Sequence, residues 1–549
     1  MPNVETSKKD LEKLIGKKLN REQLEEAIEY AKGEIDLAEG DRLVIDEKDT
    51  NRPDLLSAEG IAREIRSRLT KDKGVPKYKV RKSNASVIVD KTVSKIRPCI
   101  AAAIVKNVKI SENALIQLIN SQEKVCGTFG RKRKEAAVGI YDWSKLKQPM
   151  HYTAYKPREK KFMPLEYKAE MNLEEILLEH PKGKEYKNLL EGFDRIPIFE
   201  DDEGTVASMP PIINSQKTGK VSHETKEVLV EVTGHKQETV NTALNVMVSS
   251  LAERGFDVYS VKIKYPGKTI ITPDFTPKNI TVPISEMKKV SGLDLKTKEI
   301  VALLEKARYD VKVKGKKLQC KYPAYRQDIL HPVDVIEDAI ISHGYNKIKP
   351  EPIRIPARGS ELKEKKMERA VEDTCIGLGL QGTLTFTMTS KEKQTRMISL
   401  DEEKEQFVEI ENPVSEKYAV FRKRIYPELL ETLGKNKHAQ YPQKIFEIGK
   451  TLELDPKAET GVTEKNKLCI ALSGKGAEFT VMKGVLDTIA DNLGQKYSLK
   501  ENPDSETFEA GKSATINIGE KKGVLGEISK KVKQEFDLEQ PTAILEIEI

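Results

Sequence analysis

The chain has 549 residues, enough for roughly three or four domains, and its 38% hydrophobic content supplies real cores. Its 94 basic and 87 acidic side chains leave a net charge of +7, which permits nucleic-acid contact without demanding it. Five scattered cysteines with no CxxC pair, and seven histidines with no HExxH pair, argue against a disulfide framework and a zinc site.

The opening residues, MPNVETSKKD, have no apolar signal core, and no run nears the ~18 apolar residues of a membrane span. A soluble, cytoplasmic, α+β multidomain protein is the expectation. Residues 1–84 read as an N-terminal α/β domain. In it "LNREQLEEAIEYAKGEID" forms a helix ended by Gly33, and "DRLVIDEKDTNRPDLLSAEGIAREIRSRL" follows as strand, turn and helix. Leu55, Leu56 and Ala58 begin that helix, and "TKDKGVPKYKV" is a linker. Residues 85–270 read as a mixed-sheet domain, with "SVIVD" and "CIAAAIVKNV" as buried strands. "HKQETVNTALNVMVSSLAERG" is an amphipathic helix with Val240, Leu244, Met247, Val248 and Leu251 on one face, and "YSVKIKY" alternates as a strand. A small α+β domain occupies 271–350. Residues 351–549 alternate helices with strands and close in "AILEIEI", whose Leu545, Ile547 and Ile549 oppose Glu546 and Glu548.

The small domain carries the densest charge pattern. "YRQDILHPVDVIEDAIISHGY" places Asp328, Asp334, Glu337 and Asp338 within eleven positions. Pro332 suits a first helical turn, and Gly344 a left-handed stop. Val333, Ile336 and Ile340 make a buried stripe, with Asp334, Glu337 and Asp338 together on the opposite face. A helix dipole favours acids at its start by ~0.3–1 kcal/mol each, yet like charges at this spacing repel. The pattern is that of a solvated acidic face, or of carboxylates that meet a cation or a basic partner.

No GxxxxGK[ST] or GxGxxG loop follows a strand, and no Gly-x-Ser-x-Gly elbow appears, so an ordinary nucleotide fold and a serine hydrolase lack support. The run "GRKRKEAAVGIYDW", with Arg131, Lys132, Arg133 and Lys134, reads equally as a phosphate-contacting patch and as a solvated loop.

Taken together, "DTNRPDLLSAEGIAREI", "GRKRKEAAVGIYDW", "SMPPIINSQKTGKVS" with "EVTG", "YRQDILHPVDVIEDAIISHGY", "GLGLQGTLTFTMTS", "NPVSEKYAVFRKRIYPELLETL", "IFEIG" and "GVLGEI" resemble one family over almost the whole chain. That family is the beta subunit of phenylalanyl-tRNA synthetase, in its archaeal and eukaryotic form. The resemblance implies a heterotetramer, (αβ)2, in which ATP and phenylalanine are bound mainly by the alpha subunit and phenylalanine is joined to tRNA(Phe). It implies Mg2+ at Asp328, Asp334, Glu337 and Asp338, shared with the alpha subunit. Carboxylates without Cys or His suit a hard cation, and Mg2+ keeps several waters, so some of the four are expected to act through water.

The resemblance further implies that 351–549 is a catalytically degenerate class II synthetase-like antiparallel sheet domain for subunit assembly. "VFRKRIYPELL" offers Arg422 and Arg424 but no Phe-Arg-x-Glu, and "KKGVLGEISKK" has no Arg where the third motif needs one. No residue of this chain is expected to catalyse aminoacylation. An apolar phenylalanine pocket rejects an added hydroxyl by only ~10²-fold, which motivates a second, hydrolytic site for Tyr-tRNA(Phe). The resemblance places it at 85–270, on Ser208, Asn214, Glu231 and Thr233 with Gly234 adjacent, a positioned water being the nucleophile. The family often has Asp where Glu231 stands and His where Cys126 stands. The alternatives are a scaffold or tRNA-binding subunit without editing, in which Ser208 and Asn214 merely brace the turn after Pro210 and Pro211, and a free-standing metal-dependent hydrolase.

Overall fold

The helix Gln237–Glu253 shows best how the first half of the chain is built. Val240, Leu244, Met247, Val248 and Leu251 are buried as their spacing predicts, but so are Thr242, Ala243, Asn245, Val246, Ser249 and Ser250. The helix is a core element covered on nearly every side, because strands pack on one flank and the N-terminal helix Ala58–Leu69 on another. The computed structural model describes residues 3–49, 51–109, 111–353, 357–502 and 506–549. They form two units, Met1–Pro352 and Ile353–Ile549.

In the first unit a large mixed sheet runs in the order Ile213–Asn214, Val206–Met209, Ile196–Glu200, Met150–Tyr155, Ser86–Val89, Asp257–Tyr265, Cys99–Lys106, Glu227–Gly234, Ala136–Asp142. It is nearly closed. The main chain of Asp142 at one edge donates to Thr218 O at 2.9 Å, just past the opposite edge. Period-two alternation separates its two cores. Ile100, Ala102, Ile104 and Leu229 face the interior of the curved sheet with Tyr141 and Phe199. Ala101, Ala103, Val105, Val228, Val230 and Val232 face the helix Gln237–Glu253. Glu231 and Thr233 follow Leu229 at alternate positions and so turn inward.

The N-terminal elements differ from expectation at their ends. The helix expected to stop at Gly33 spans Arg21–Glu29, and Gly33 already opens a strand, Gly33–Glu39. Lys32 takes the left-handed φ of +64°. The helix expected from Leu55 begins at Ala58, since Ser57 accepts from Gly60 N as its N-cap, while Pro53–Leu55 is a 3-10 turn. On the strand Arg42–Glu47 the side chain of Glu47 is fully buried, with no hydrogen-bond partner for either oxygen. Burial pushes its carboxyl well above the ordinary range. The folded state therefore keeps a proton that the unfolded chain releases. Its contribution is complete below the unfolded pKa of about 4.3 and is lost as pH climbs toward the raised value. Glu47→Gln, neutral at every pH, is expected to flatten that fall, which reaches about 1.4 kcal/mol per pH unit. Thermal unfolding of both forms between about pH 5 and about pH 8 measures it.

The small domain pairs Lys278–Pro283, Lys317–Tyr322 and Asp310–Lys314 in one antiparallel sheet, beneath the helices Thr297–Lys306 and Pro332–His343. In the second helix the buried apolar side chains are Val335, Ile336 and Ala339, whereas Val333 is 43% exposed. The stripe is thus rotated from the expected one, and it carries Asp338 into the interior.

The second unit is a seven-stranded sheet, ordered Gln381–Gly382, Gln443–Leu454, Val462–Ser473, Thr542–Glu548, Lys521–Ile528, Phe508–Ile518, Ser498–Glu501. All its pairings are antiparallel except the short first one. The helices Lys363–Gly377 and Phe479–Asn492 cover one face, and Tyr426–Lys435 with Lys530–Glu535 the other. Both faces being covered, Glu546 is buried with Leu545 and Ile547, where alternation alone put it outside. Its carboxylate accepts from the main chain of Ile425 and Tyr426 at 2.7 and 3.0 Å, which binds it to a helix start.

One segment of this unit has an inverted pattern. Thr383, Thr385 and Thr387 turn inward, where Thr383 N donates to Phe446 O at 2.8 Å and Thr385 Oγ1 to Glu447 at 2.6 Å. Leu384, Phe386 and Met388 turn outward, the first two 91% and 70% exposed.

Candidate functional site

Where the two edges of the curved sheet approach, they enclose a cavity of about 450 Å³, within the usual range for small-molecule sites. Leu118, Ile119, Val138, Ile140, Met209 and Pro211 form the apolar part of its wall, and Ser208, Asn214, Glu231 and Thr233 are among its polar groups, with Arg133, Tyr141 and others. The structure thus brings together the four positions singled out from 85–270. Glu231 stands on the strand Glu227–Gly234, between Ala102 and Gly139 of its neighbours. It is buried, 2% exposed. Burial raises its pKa to about 7, while a hydrogen bond from Tyr141, the charge of Arg97 and the nearby Thr233 hydroxyl pull the other way. Oε1 of Glu231 has no partner.

Tyr141 was not singled out from the sequence. Its phenolic oxygen lies 2.7 Å from Ser208 Oγ and 2.8 Å from Glu231 Oε2. A phenol has one hydrogen. That hydrogen goes to the carboxylate, and Ser208 donates its own to the phenolic oxygen. Gly139 makes the approach possible: a Cβ there would sit 2.0 Å from the Tyr141 hydroxyl and 2.7 Å from Glu231 Oε2. The signal was a glycine inside a strand pattern, which marks close approach, two positions before a tyrosine on the same face.

Arg97, also unmarked in the sequence, fixes Thr233. Its guanidinium donates to Thr233 Oγ1 at 2.9 Å and Thr233 O at 2.6 Å. Asn214 Nδ2 lies 3.5 Å from Ile140 O, so its amide is only weakly held at the cavity mouth. Cys126 is buried, and burial pushes its thiol up to about 11, which leaves it inert. Of the basic run, Arg133 is engaged, donating to Ile212 O at 2.8 Å and pairing with Glu123. Arg131, Lys132 and Lys134 face solvent.

The four carboxylates of the acidic stretch divide. Arg326 pairs with both oxygens of Asp328, at 2.7 and 2.5 Å, and reaches Asp338 at 2.9 Å. Tyr309 donates to the same Asp338 oxygen at 2.6 Å. Asp334 caps the helix, accepting from Leu330 N and His331 N at 2.8 and 2.7 Å. Glu337 is exposed beside Lys32, 3.2 Å away. Arg52 also lies 3.9 Å from Asp328, so three cationic side chains relieve the crowding of charge. The four do not converge as one ligand set, and no group of three or more metal-binding side chains is present among the described residues. Asp328 and Asp338 do not fit a hard cation as they stand, whereas Asp334 and Glu337 keep oxygens open to water.

In the second unit Arg422 is 2% exposed and pairs with Glu447 at 2.7 Å, while Arg424 pairs with Glu405 at 2.5 Å. Neither guanidinium is free to grip a phosphate.

Family models match in three stretches: the B3/4 domain over 82–265, the tRNA synthetase B5 domain over 280–345, and the phenylalanyl tRNA synthetase beta chain CLM domain over 348–549. The phenylalanine–tRNA ligase beta subunit of Pyrococcus horikoshii is 44% identical, across 100% of this chain and 99% of that one. The chain belongs to the phenylalanine–tRNA ligase beta-subunit family. The beta subunit of Thermococcus kodakarensis is 43% identical, with 100% and 98% covered. A crystal structure of an N-terminal fragment of the P. horikoshii phenylalanyl-tRNA synthetase beta subunit is similar at a TM-score of 0.61 and 48% identity, over 63% of this chain and 100% of the fragment. In this family member the cavity lies within the B3/4 stretch and the acidic helix within the B5 stretch. No helix among the described residues is long and apolar enough to cross a membrane.

Proposed function

We propose that this chain is the non-activating half of a cytoplasmic phenylalanine–tRNA ligase. It joins a catalytic alpha subunit as (αβ)2 in the ATP-dependent charging of tRNA(Phe), and its own cavity hydrolyses Tyr-tRNA(Phe). The observation that carries the hydrolytic part is the buried Glu231 carboxylate, its Oε1 unpartnered, at the wall of a cavity with a large apolar surface. A tyrosyl hydroxyl donating to that oxygen satisfies it. A phenylalanyl ring entering the same place would leave a desolvated acceptor unpaired, and that penalty is what makes hydroxyl-reading sites selective. The apolar wall accepts the ring in either case. The discrimination therefore falls on one atom.

The remaining chemistry is modest. Asn214 and Thr233 offer hydrogen bonds to the amine and ester of a bound aminoacyl end, and a held water attacks the ester carbonyl. With Arg422 and Arg424 both engaged, adenylate chemistry belongs to the alpha subunit. Mg2+ enters the proposal in reduced form: Asp334 and Glu337 would hold it through water, at a face completed by the alpha subunit, where it would offset charge.

The test is deacylation of Tyr-tRNA(Phe) by the assembled heteromer. The native form is expected to act well above the uncatalysed rate, with an inflection near the Glu231 value of about 7. Glu231→Gln, of the same shape, is expected to lose roughly 10²-fold together with the inflection. Absence of hydrolysis by the native heteromer would favour the scaffold alternative.

A further inference from the structure

We propose that Tyr141 is the specificity-positioning residue of this cavity: its hydroxyl, held between Ser208 and Glu231, aims the second Glu231 oxygen at the bound side chain, whose own hydroxyl completes the array. This rests on the hydrolytic reading above and adds to it the residue that sets selectivity. The geometry points to it in three ways. With Glu231 ionised the order of hydrogens follows, because one phenolic hydrogen serves Glu231 Oε2 at 2.8 Å and the Ser208 hydroxyl at 2.7 Å must then be the donor. The tyrosine cannot swing away, since it is fully buried with its ring tilted against Phe199 at 5.8 Å between centroids. Finally, Gly139 leaves room for the phenol and the carboxylate to meet where any side chain would part them. With Oε2 so held, Oε1 is the oxygen left without a hydrogen bond, beside the Thr233 hydroxyl at the cavity wall.

Tyr141 touches neither the ester nor the attacking water, so its effect passes through Glu231. Removing its hydroxyl leaves Ser208 without an acceptor and frees Glu231 to rotate. A ring without a hydroxyl then loses less by entering the cavity. The hydrogen bond from Tyr141 also holds the Glu231 carboxyl down against burial, so its loss moves ionisation to higher pH.

The experiment compares deacylation of Tyr-tRNA(Phe) and Phe-tRNA(Phe) by the heteromer carrying native chain, Tyr141→Phe, Glu231→Gln and the double substitution. Tyr141→Phe is expected to lower the preference for the tyrosyl substrate roughly tenfold or more and to move the pH inflection upward. In the Glu231→Gln background it should add little, the signature of a residue acting through its partner. Replacing Tyr141 by 3,5-difluorotyrosine keeps the ring and makes the hydroxyl a stronger donor. It should move the inflection downward, and this arm stands if Tyr141→Phe folds poorly. Equal losses on both substrates, or an inflection that stays in place in both variants, would overturn the proposal while leaving hydrolysis intact. A native heteromer that deacylates neither substrate removes the hydrolytic reading, and this inference falls with it.

Discussion

Replacing Arg326 with methionine is expected to destabilise the first unit by about 3–5 kcal/mol, the cost of leaving a buried charge without its partner. The side chains decide the magnitude. Arg326, Asp328 and Asp338 are 2%, 6% and 5% exposed, whereas an exposed ion pair is worth ~0–1 kcal/mol. Against a total of about 5–15 kcal/mol for a folded domain, such a loss lowers the thermal midpoint clearly. Methionine keeps much of the aliphatic stem, so packing changes little and the effect reports the charge. Adding Asp328→Asn and Asp338→Asn should recover most of it, because the buried charges are then gone. The pH dependence separates this from a cavity. Burial works to raise the Asp328 pKa, but the Arg326 charge overrides it and holds the carboxyl at about 2. A depressed carboxylate contributes stability above its unfolded pKa of about 3.9, and that contribution is lost as pH falls toward about 2. In Arg326→Met the same carboxylates keep only Arg52, 3.9 Å from Asp328, and the Tyr309 hydroxyl on Asp338, and take up protons more readily. Urea denaturation at about pH 7 and about pH 4 should therefore show the gap between native and variant narrowing on acidification.

The double substitution Leu384→Asp with Phe386→Asp is expected to weaken assembly with the alpha subunit by roughly 10²–10³-fold or more, at about 2 kcal/mol per buried anchor. It should leave the fold of the second unit intact. Soluble chains rarely turn apolar side chains outward in sequence while hydrogen-bonding threonines inward. That inversion at 383–388 is the physical argument for a covered face. Leu384 and Phe386 are 91% and 70% exposed, and beyond the edge-on contact of Phe386 with Tyr418 they add little to their own unit, so their replacement acts mainly on association. Co-purification and sedimentation of the two subunits measure it, with unchanged circular dichroism of the isolated variant chain as the control. Repeating the sedimentation with and without Mg2+ tests the proposed role of Asp334 and Glu337. Full assembly of the double variant would remove this face from the interface.

Much of the architecture was readable because it depends on local periodicity. The strands at Ser86–Val89 and Cys99–Lys106 and the helix Gln237–Glu253 stand where their hydrophobic spacing puts them. Helix ends were less legible. A capping serine at position 57 and a left-handed lysine at 32 compete with the glycine and leucine signals nearby. The acidic stretch shows the limit more sharply. Arg326 stands two residues before Asp328, so one pairing was within reach of the sequence. Its contact with Asp338 spans twelve residues and a turn, and only the packed helix brings them together.

The sequence by itself determined the family and the polar positions Ser208, Asn214, Glu231 and Thr233, because these reside in residue identity and order; that Arg422 and Arg424 are both engaged was decided by the fold. Which hydrogen bonds those side chains make was decided by the tertiary structure. Closing the sheet set Tyr141, from one edge strand, against Ser208 from the strand next to the other edge, with Glu231 beside it. Packing also assigned two of four carboxylates to an arginine. Charge and hydrogen-bonding capacity belong to a residue, but the partner that satisfies them is whatever the fold brings within about 3 Å.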